Sequence, residues 1–178
     1  NELNKNKSDS NPSVTLQEFR QFFCKQNLST IDAAKDLEYQ NLISQESQTF
    51  NELDYKITDS EILKAINKLK NGKTPGLDGI TYEMVKQSKN ELLPSLNKVF
   101  NAILTNSTYP KNWSLGFIAT IHKKGNRSLP ENYRGLTINN CLGKIFNSIL
   151  NDRLLAYLNQ HNIIEKFQIG FRKNSRTV

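Results

Sequence analysis

The chain has 178 residues, 37% of them hydrophobic and 23% charged, with 24 Lys/Arg against 17 Asp/Glu and a formal net charge of +7. That suffices for one domain with a core, or for part of a larger one. No run of eighteen apolar residues and no basic-then-apolar signal at the start is present, so a soluble protein without a membrane partner is expected.

The charge is unevenly spread. Residues 1–70 hold nine Lys/Arg and eleven Asp/Glu, a net of −2, while residues 71–178 hold fifteen and six, a net of +9. This favours a polyanionic partner for the second part. Cys24 and Cys141 are far apart, with no CxxC and no histidine at ligand spacing. They read as reduced thiols of an intracellular protein, not as a disulfide or a metal site.

In chain order, residues 1–14 are polar and read as a disordered leader. Residues 15–52 carry scattered apolar positions, Leu16, Phe19, Phe22 and Phe23 among them, and read as a linker with weak helices. Signals sharpen from residue 57. Thr58 and Glu61 form a capping box flanked by Ile57 and Ile62 at staple spacing. Ile62, Ala65, Ile66 and Leu69 then repeat at helical spacing up to Asn71-Gly72, a left-handed stop, which predicts a helix over 59–70.

A short helix is expected over Tyr82–Lys89. A longer one over 91–106 presents Leu92, Leu93, Leu96, Val99, Phe100, Ile103 and Leu104 on one face, and Tyr109-Pro110 ends it. Ser114–His122 and Tyr133–Ile138 read as the two strands of a hairpin, joined by the basic connection KKGNRSLPEN. Residues 141–159 make the longest helix, with Leu142, Ile145, Phe146, Ile149, Leu150, Leu154, Tyr157 and Leu158 on one side. The expected class is α+β, mostly helical with an antiparallel β-hairpin.

The loop NGKTPGLDGI, residues 71–80, contains a Gly-Lys-Thr triplet, yet it is not a Walker A loop. The glycine required five positions before Gly72 is Asn67, which lies within a helical pattern and not after a strand. Pro75 falls where the next helix should begin donating N–H groups. His122 and His161 show no HxxxH or His–Asp spacing, and no carboxylate pair or nucleophile signature appears. What remains is the hairpin. Lys123, Lys124 and Arg127 lie across from Arg134, and Lys point charges beside an Arg fork suit phosphate. Trp113, Phe117 and Tyr133 stack against bases or fill the core.

The order of these pieces carries more than any one of them. NGKTPGLDGITYEMVK, FNAILTNSTYPKNW, IATIHKKG…ENYRGLTI, KIFNSILNDRL and QIGFRKNSRT together resemble the reverse transcriptase of non-LTR (LINE-type) retrotransposons, from about Leu53 to Val178. The resemblance implies that residues 53–178 form the fingers and the start of the palm of a right-handed polymerase, an incomplete domain. It implies that Lys123 and Arg134, with Lys124 as the alternative to Lys123, hold the triphosphate of the incoming nucleotide. Lys73, Gly76 and Gly79 in the loop before the hairpin, and Gln168, Gly170, Phe171 and Arg172 near the C-terminus, match template-binding positions. Asp78 is expected to brace its loop. The implied partners are template RNA, primer DNA, deoxynucleoside triphosphates and the rest of the palm and thumb, in the nucleus or in a cytoplasmic ribonucleoprotein.

Two departures stand out. The family usually has Pro after the hairpin arginine, where this chain has Gly135, expected to loosen a turn. Its metal-binding aspartates have no counterpart here and are expected beyond Val178, so no residue is assigned to catalysis or to Mg²⁺, and the chain alone is expected not to extend a primer. A non-catalytic nucleic-acid-binding remnant or domesticated module, and a group II intron-type maturase, are the alternative readings.

Overall fold

The computed structural model describes residues 14–27, 37, 40–41 and 50–164. The chain divides into two compact units. Among the described residues, one comprises 14–27, 37 and 40–41 with 118–137, and the other 50–117 with 138–164. The elements are α1 (Leu16–Asn27), α2 (Asp59–Lys68), α3 (Tyr82–Gln87), α4 (Lys89–Asn106), α5 (Lys111–Ser114), β1 (Gly116–His122), a 3₁₀ turn (Pro130–Asn132), β2 (Tyr133–Asn139) and α6 (Cys141–Gln160). The expected α+β class, mostly helical with one antiparallel hairpin, is what the structure has.

The helical unit starts from the capping box. Glu61 donates its backbone N–H to Thr58 Oγ1 (3.4 Å), and Thr58 donates its own to Glu61 Oε2 (2.9 Å), which satisfies two of the N–H groups a helix start leaves open. Ile57 and Ile62 are both buried beside this cap. The helix ends at Lys68, two residues before the expected end, because Leu69 turns to extended dihedrals (φ −61°, ψ 136°) and packs against the core. Gly72, with φ +71°, shapes the following turn instead of stopping the helix.

Ile62, Ala65 and Ile66 of α2 meet Leu96, Phe100 and Ile103 of α4 and Cys141, Ile145, Phe146 and Ile149 of α6 in one core. Trp113 and Tyr109 close its end, with Trp113 edge-on to both Phe100 (6.0 Å between centroids) and Tyr109 (5.8 Å). Trp113 is therefore a packing residue. α4 begins at Lys89, two residues early, and ends at Ser107 in a left-handed conformation before Tyr109-Pro110 is reached. A short helix, α5, occupies the first position assigned to the strand, which starts at Gly116.

Two residues placed on apolar faces lie outside. Val99 sits at the edge of the α4 stripe and is exposed. Leu154 points away from the buried side of α6, and the preceding residue, about 100° round the helix, takes the buried place. That residue is Arg153.

Arg153 is 6% exposed and uses all five guanidinium donors. Nε donates to Glu61 Oε1 (2.7 Å) and Nη2 to Glu61 Oε2 (2.9 Å). Nη1 donates to the carbonyls of Leu53 (2.9 Å) and Tyr55 (2.7 Å), and Nη2 to that of Lys56 (3.2 Å). The Tyr55 ring covers the guanidinium at 3.8 Å. From the other side, Asn101 on α4 donates to the Ile57 carbonyl (3.0 Å) and accepts from the Ile57 N–H (2.8 Å). The segment entering α2 is thus held by side chains of two helices.

Burial resists ionisation of Glu61, but its hydrogen bonds to Arg153 and Thr58 outweigh burial and lower its pKa from 4.5 to about 2. The stabilisation, on the order of 3 kcal/mol, is fully present above pH 4.5 and is lost as the pH falls towards 2. Urea unfolding should therefore show declining stability across that window. Arg153→Ala should lower stability near neutrality by about 3 kcal/mol, because it strands Glu61 and three partly buried carbonyls, and should flatten the acid dependence. An Arg153→Ala chain as stable as the parent at pH 7 contradicts this assignment.

Candidate phosphate-binding site

The hairpin carries its basic tip on a tied frame. The Lys123 N–H donates to the Asn132 carbonyl (2.8 Å), closing the strands. Inside the connection, Asn126 Oδ1 accepts from the Ser128 N–H (2.9 Å) and the Asn126 carbonyl accepts from Asn132 Nδ2 (2.8 Å). Gly125 has φ +87°, which favours glycine, and a Cβ there would stand 2.9 Å from Asn132 Nδ2. Tyr133 is buried and donates its hydroxyl to the Arg127 carbonyl (2.9 Å), which makes it a brace for the loop and not a stacking platform. His122 lies against the Tyr133 ring at 5.1 Å, with Nε2 3.2 Å from the Gly125 carbonyl. Phe117 is half-buried.

Helix α1 packs on this hairpin. Its start is a second capping box, Thr15 with Glu18: Glu18 donates its N–H to Thr15 Oγ1 (3.3 Å) and Thr15 donates to Glu18 Oε2 (2.7 Å). Phe19 is buried edge-on to Tyr133 (4.8 Å), and Phe23 stacks beyond it. Gly135 lies within β2 and in no turn. A Cβ there would stand 2.9 Å from both Phe23 Cε1 and Ile118 Cγ2. The expected loosening of a turn is therefore corrected: glycine at 135 admits the α1 aromatic ring to the strand.

Between the hairpin and α1 lies an open cavity of about 310 Å³. Lys123 and Arg134 both line it, together with Glu131 and Thr137 from the hairpin and Phe23 and Gln26 from α1. Two cations against one carboxylate leave it with a charge of about +1, and the fork of Arg134 beside the point charge of Lys123 suits a multiply charged phosphate ester. Lys124 and Arg127 are exposed at the tip and do not line the cavity. Glu131, Thr137 and Gln26 carry no sequence signal as site residues, and Phe23 reads there only as an apolar position. The Thr15-x-x-Glu18 spacing was a legible sign of α1, whereas nothing local marks Gln26.

In the helical unit, the loop over 71–80 is fixed at both ends. Glu83 accepts from the Gly72 N–H (2.6 Å), and Thr81 caps α3 by accepting from the Met84 N–H (3.2 Å). The Gly79 N–H donates to the Gly76 carbonyl (3.1 Å), and Asp78 Oδ1 accepts from the Ile80 N–H (3.1 Å), so Asp78 braces the loop. The two glycines differ. Gly79 has φ +70° with open space around it, while Gly76 is buried, and a Cβ there would stand 2.3 Å from Asn140 Oδ1. Asn140 precedes α6 and donates Nδ2 to the Asn112 carbonyl (2.8 Å). Lys73 is exposed. Gln168, Gly170, Phe171 and Arg172 lie outside the described residues.

Among the described residues, no group of three or more His, Cys, Asp or Glu is placed to hold a metal ion, and no helix is long and apolar enough to cross a membrane. Burial pushes the Cys141 thiol up to about 11, so it stays protonated, and neither cysteine is in a disulfide.

No family model matches the chain. Curated proteins do. A probable RNA-directed DNA polymerase from transposon BS of Drosophila melanogaster is 32% identical over 119 residues, which is 66% of this chain and 13% of that protein. Its counterpart from the transposon X-element of the same fly is 30% identical over 119 residues, with the same two shares. The RNA-directed DNA polymerase from the mobile element jockey is 32% identical over 117 residues, 65% of this chain and 13% of its own length. Over about two-thirds of its length, this chain is homologous to the reverse transcriptases of non-LTR mobile elements. It spans about 13% of the length of these polymerase relatives.

The packing around the two loop glycines orders their substitutions. Gly76→Ala should cost about 1–3 kcal/mol by forcing Cβ into Asn140, and Gly79→Ala about 1 kcal/mol from its left-handed backbone alone. Chemical denaturation of the two variants checks this order, and equal losses would contradict it.

Proposed function

We propose that the chain supplies nucleotide- and template-binding fingers of an RNA-directed DNA polymerase of a non-LTR mobile element, with residues 53–178 as the polymerase segment. One observation carries the reading: Lys123 and Arg134, eleven positions apart across a basic loop, line one open cavity. There they neutralise the triphosphate of an incoming deoxynucleotide, Arg134 by a bidentate contact and Lys123 as a point charge. Such a site binds and orients; it moves no proton and breaks no bond.

The 71–80 loop meets the template RNA backbone through Lys73 and the open Gly79 turn, and Gly76 seats the loop against Asn140. Gln168, Gly170, Phe171 and Arg172 are proposed to contact the same strand. Primer DNA, the remaining palm and thumb, and a divalent metal, Mg²⁺ in our reading, complete the polymerase. The carboxylates that hold the metal are assigned outside this chain. The place of action is the nucleus or a cytoplasmic ribonucleoprotein.

Titration of the chain with a Mg²⁺–deoxynucleoside triphosphate tests the nucleotide site. Lys123→Ala and Arg134→Ala should each weaken binding about tenfold, the scale of one hydrogen bond to a charged group. Lys124→Ala should change it less than about twofold, as an exposed charge off the cavity. Glu131→Gln should tighten it about two- to fivefold by removing a like charge. Unchanged affinity in both cation variants refutes the assignment.

Binding of single-stranded RNA should weaken steeply with salt, since each neutralised phosphate releases counterions. Lys73→Ala should reduce that slope by about 0.7, one phosphate contact on a single strand. A salt-independent affinity would count against a template role.

A further inference from the structure

Helix α1 stands in the stretch before the polymerase-like sequence, yet it closes one side of the cavity that holds Lys123 and Arg134. We propose that α1 is a working wall of that pocket, with Gln26 binding phosphate oxygen directly and the Phe23–Gly135 contact setting how close the wall stands. This rests on the reading of the cavity as a triphosphate site.

Three observations support it. Gln26 is exposed and makes no contribution to either buried cluster, but it lines the cavity beside both cations. Its amide offers two N–H donors and no charge, which suits a phosphate oxygen already facing Lys123 and Arg134. The position of α1 is set by Phe19, buried against Tyr133, and by the Phe23 ring, which lies where any side chain at 135 would stand. The cavity is therefore narrow only while residue 135 is glycine. Gln26 sits in the last turn of α1, where the helix dipole is weakly repulsive to an anion, and the full charges of Lys123 and Arg134 exceed that effect.

The test is calorimetric titration of the whole 178-residue chain with inorganic tripolyphosphate. Gln26→Ala should bind about threefold more weakly, as for one lost neutral hydrogen bond. Gln26→Glu should lose about tenfold and Gln26→Lys should gain several-fold, opposite signs that a merely structural role on an exposed face does not produce. The same lysine at Gln21, exposed on α1 but not lining the cavity, should leave affinity within about twofold. Gly135→Ala should weaken binding about fivefold by displacing the ring, and Phe23→Ala in the same chain should restore it.

If Arg134→Ala weakens binding while every Gln26 and Gly135 variant stays within about twofold, the wall is refuted and the pocket stands. If Lys123→Ala and Arg134→Ala also change nothing, the pocket reading itself fails. Should Gly135→Ala not fold, the Gln26 series decides alone, since that side chain is exposed.

Discussion

The helical unit depends on one buried guanidinium. Arg153 stands in the middle of the apolar side of α6 and still has a partner for each of its five donors. A charge in that place is tolerable only because Glu61 neutralises it and three carbonyls complete its hydrogen bonding. Those carbonyls belong to residues 53–56, so a helix near the end of the described chain determines the path of the segment that leads into α2. Asn101 fixes the same path from α4 through both polar groups of Ile57. Specific polar contacts set the register, and the isoleucines and phenylalanines around them supply the apolar burial.

The two candidate sites use a common device. Each is a polar loop whose backbone is fixed by its own side chains, so that exposed cations or open backbone stand on a rigid frame. Asn126, Asn132 and Tyr133 do this for the hairpin tip, and Asp78, Thr81 and Glu83 for the loop over 71–80. Hydrogen bonds of this kind reduce the entropy that binding at such a loop would cost.

Much of this was legible in sequence because it is local. The Thr58–Glu61 box, the core stripe of α2 and the hairpin follow from residues within a few positions of one another. What escaped was nonlocal. Arg153 has no local signal, since its partner Glu61 stands ninety-two positions away. Gly135 reads as a loose turn until the Phe23 ring is placed over it, and Gly76 as open backbone until Asn140 is found against it. Gln26 has no local signal, since only the packing of α1 brings it to Lys123 and Arg134. The nearness of those two cations follows from the hairpin and their nucleotide role from resemblance to a polymerase family; both line the cavity.

The central claim is that this cavity is a triphosphate site on the fingers of a reverse transcriptase. Amide chemical shifts of the labelled chain, followed during titration with a Mg²⁺–deoxynucleoside triphosphate, test it most directly. The account predicts saturable shifts concentrated at residues 123 and 131–137 and at the end of α1. Shifts scattered over the basic surface without saturation, or absent from those residues, would contradict it.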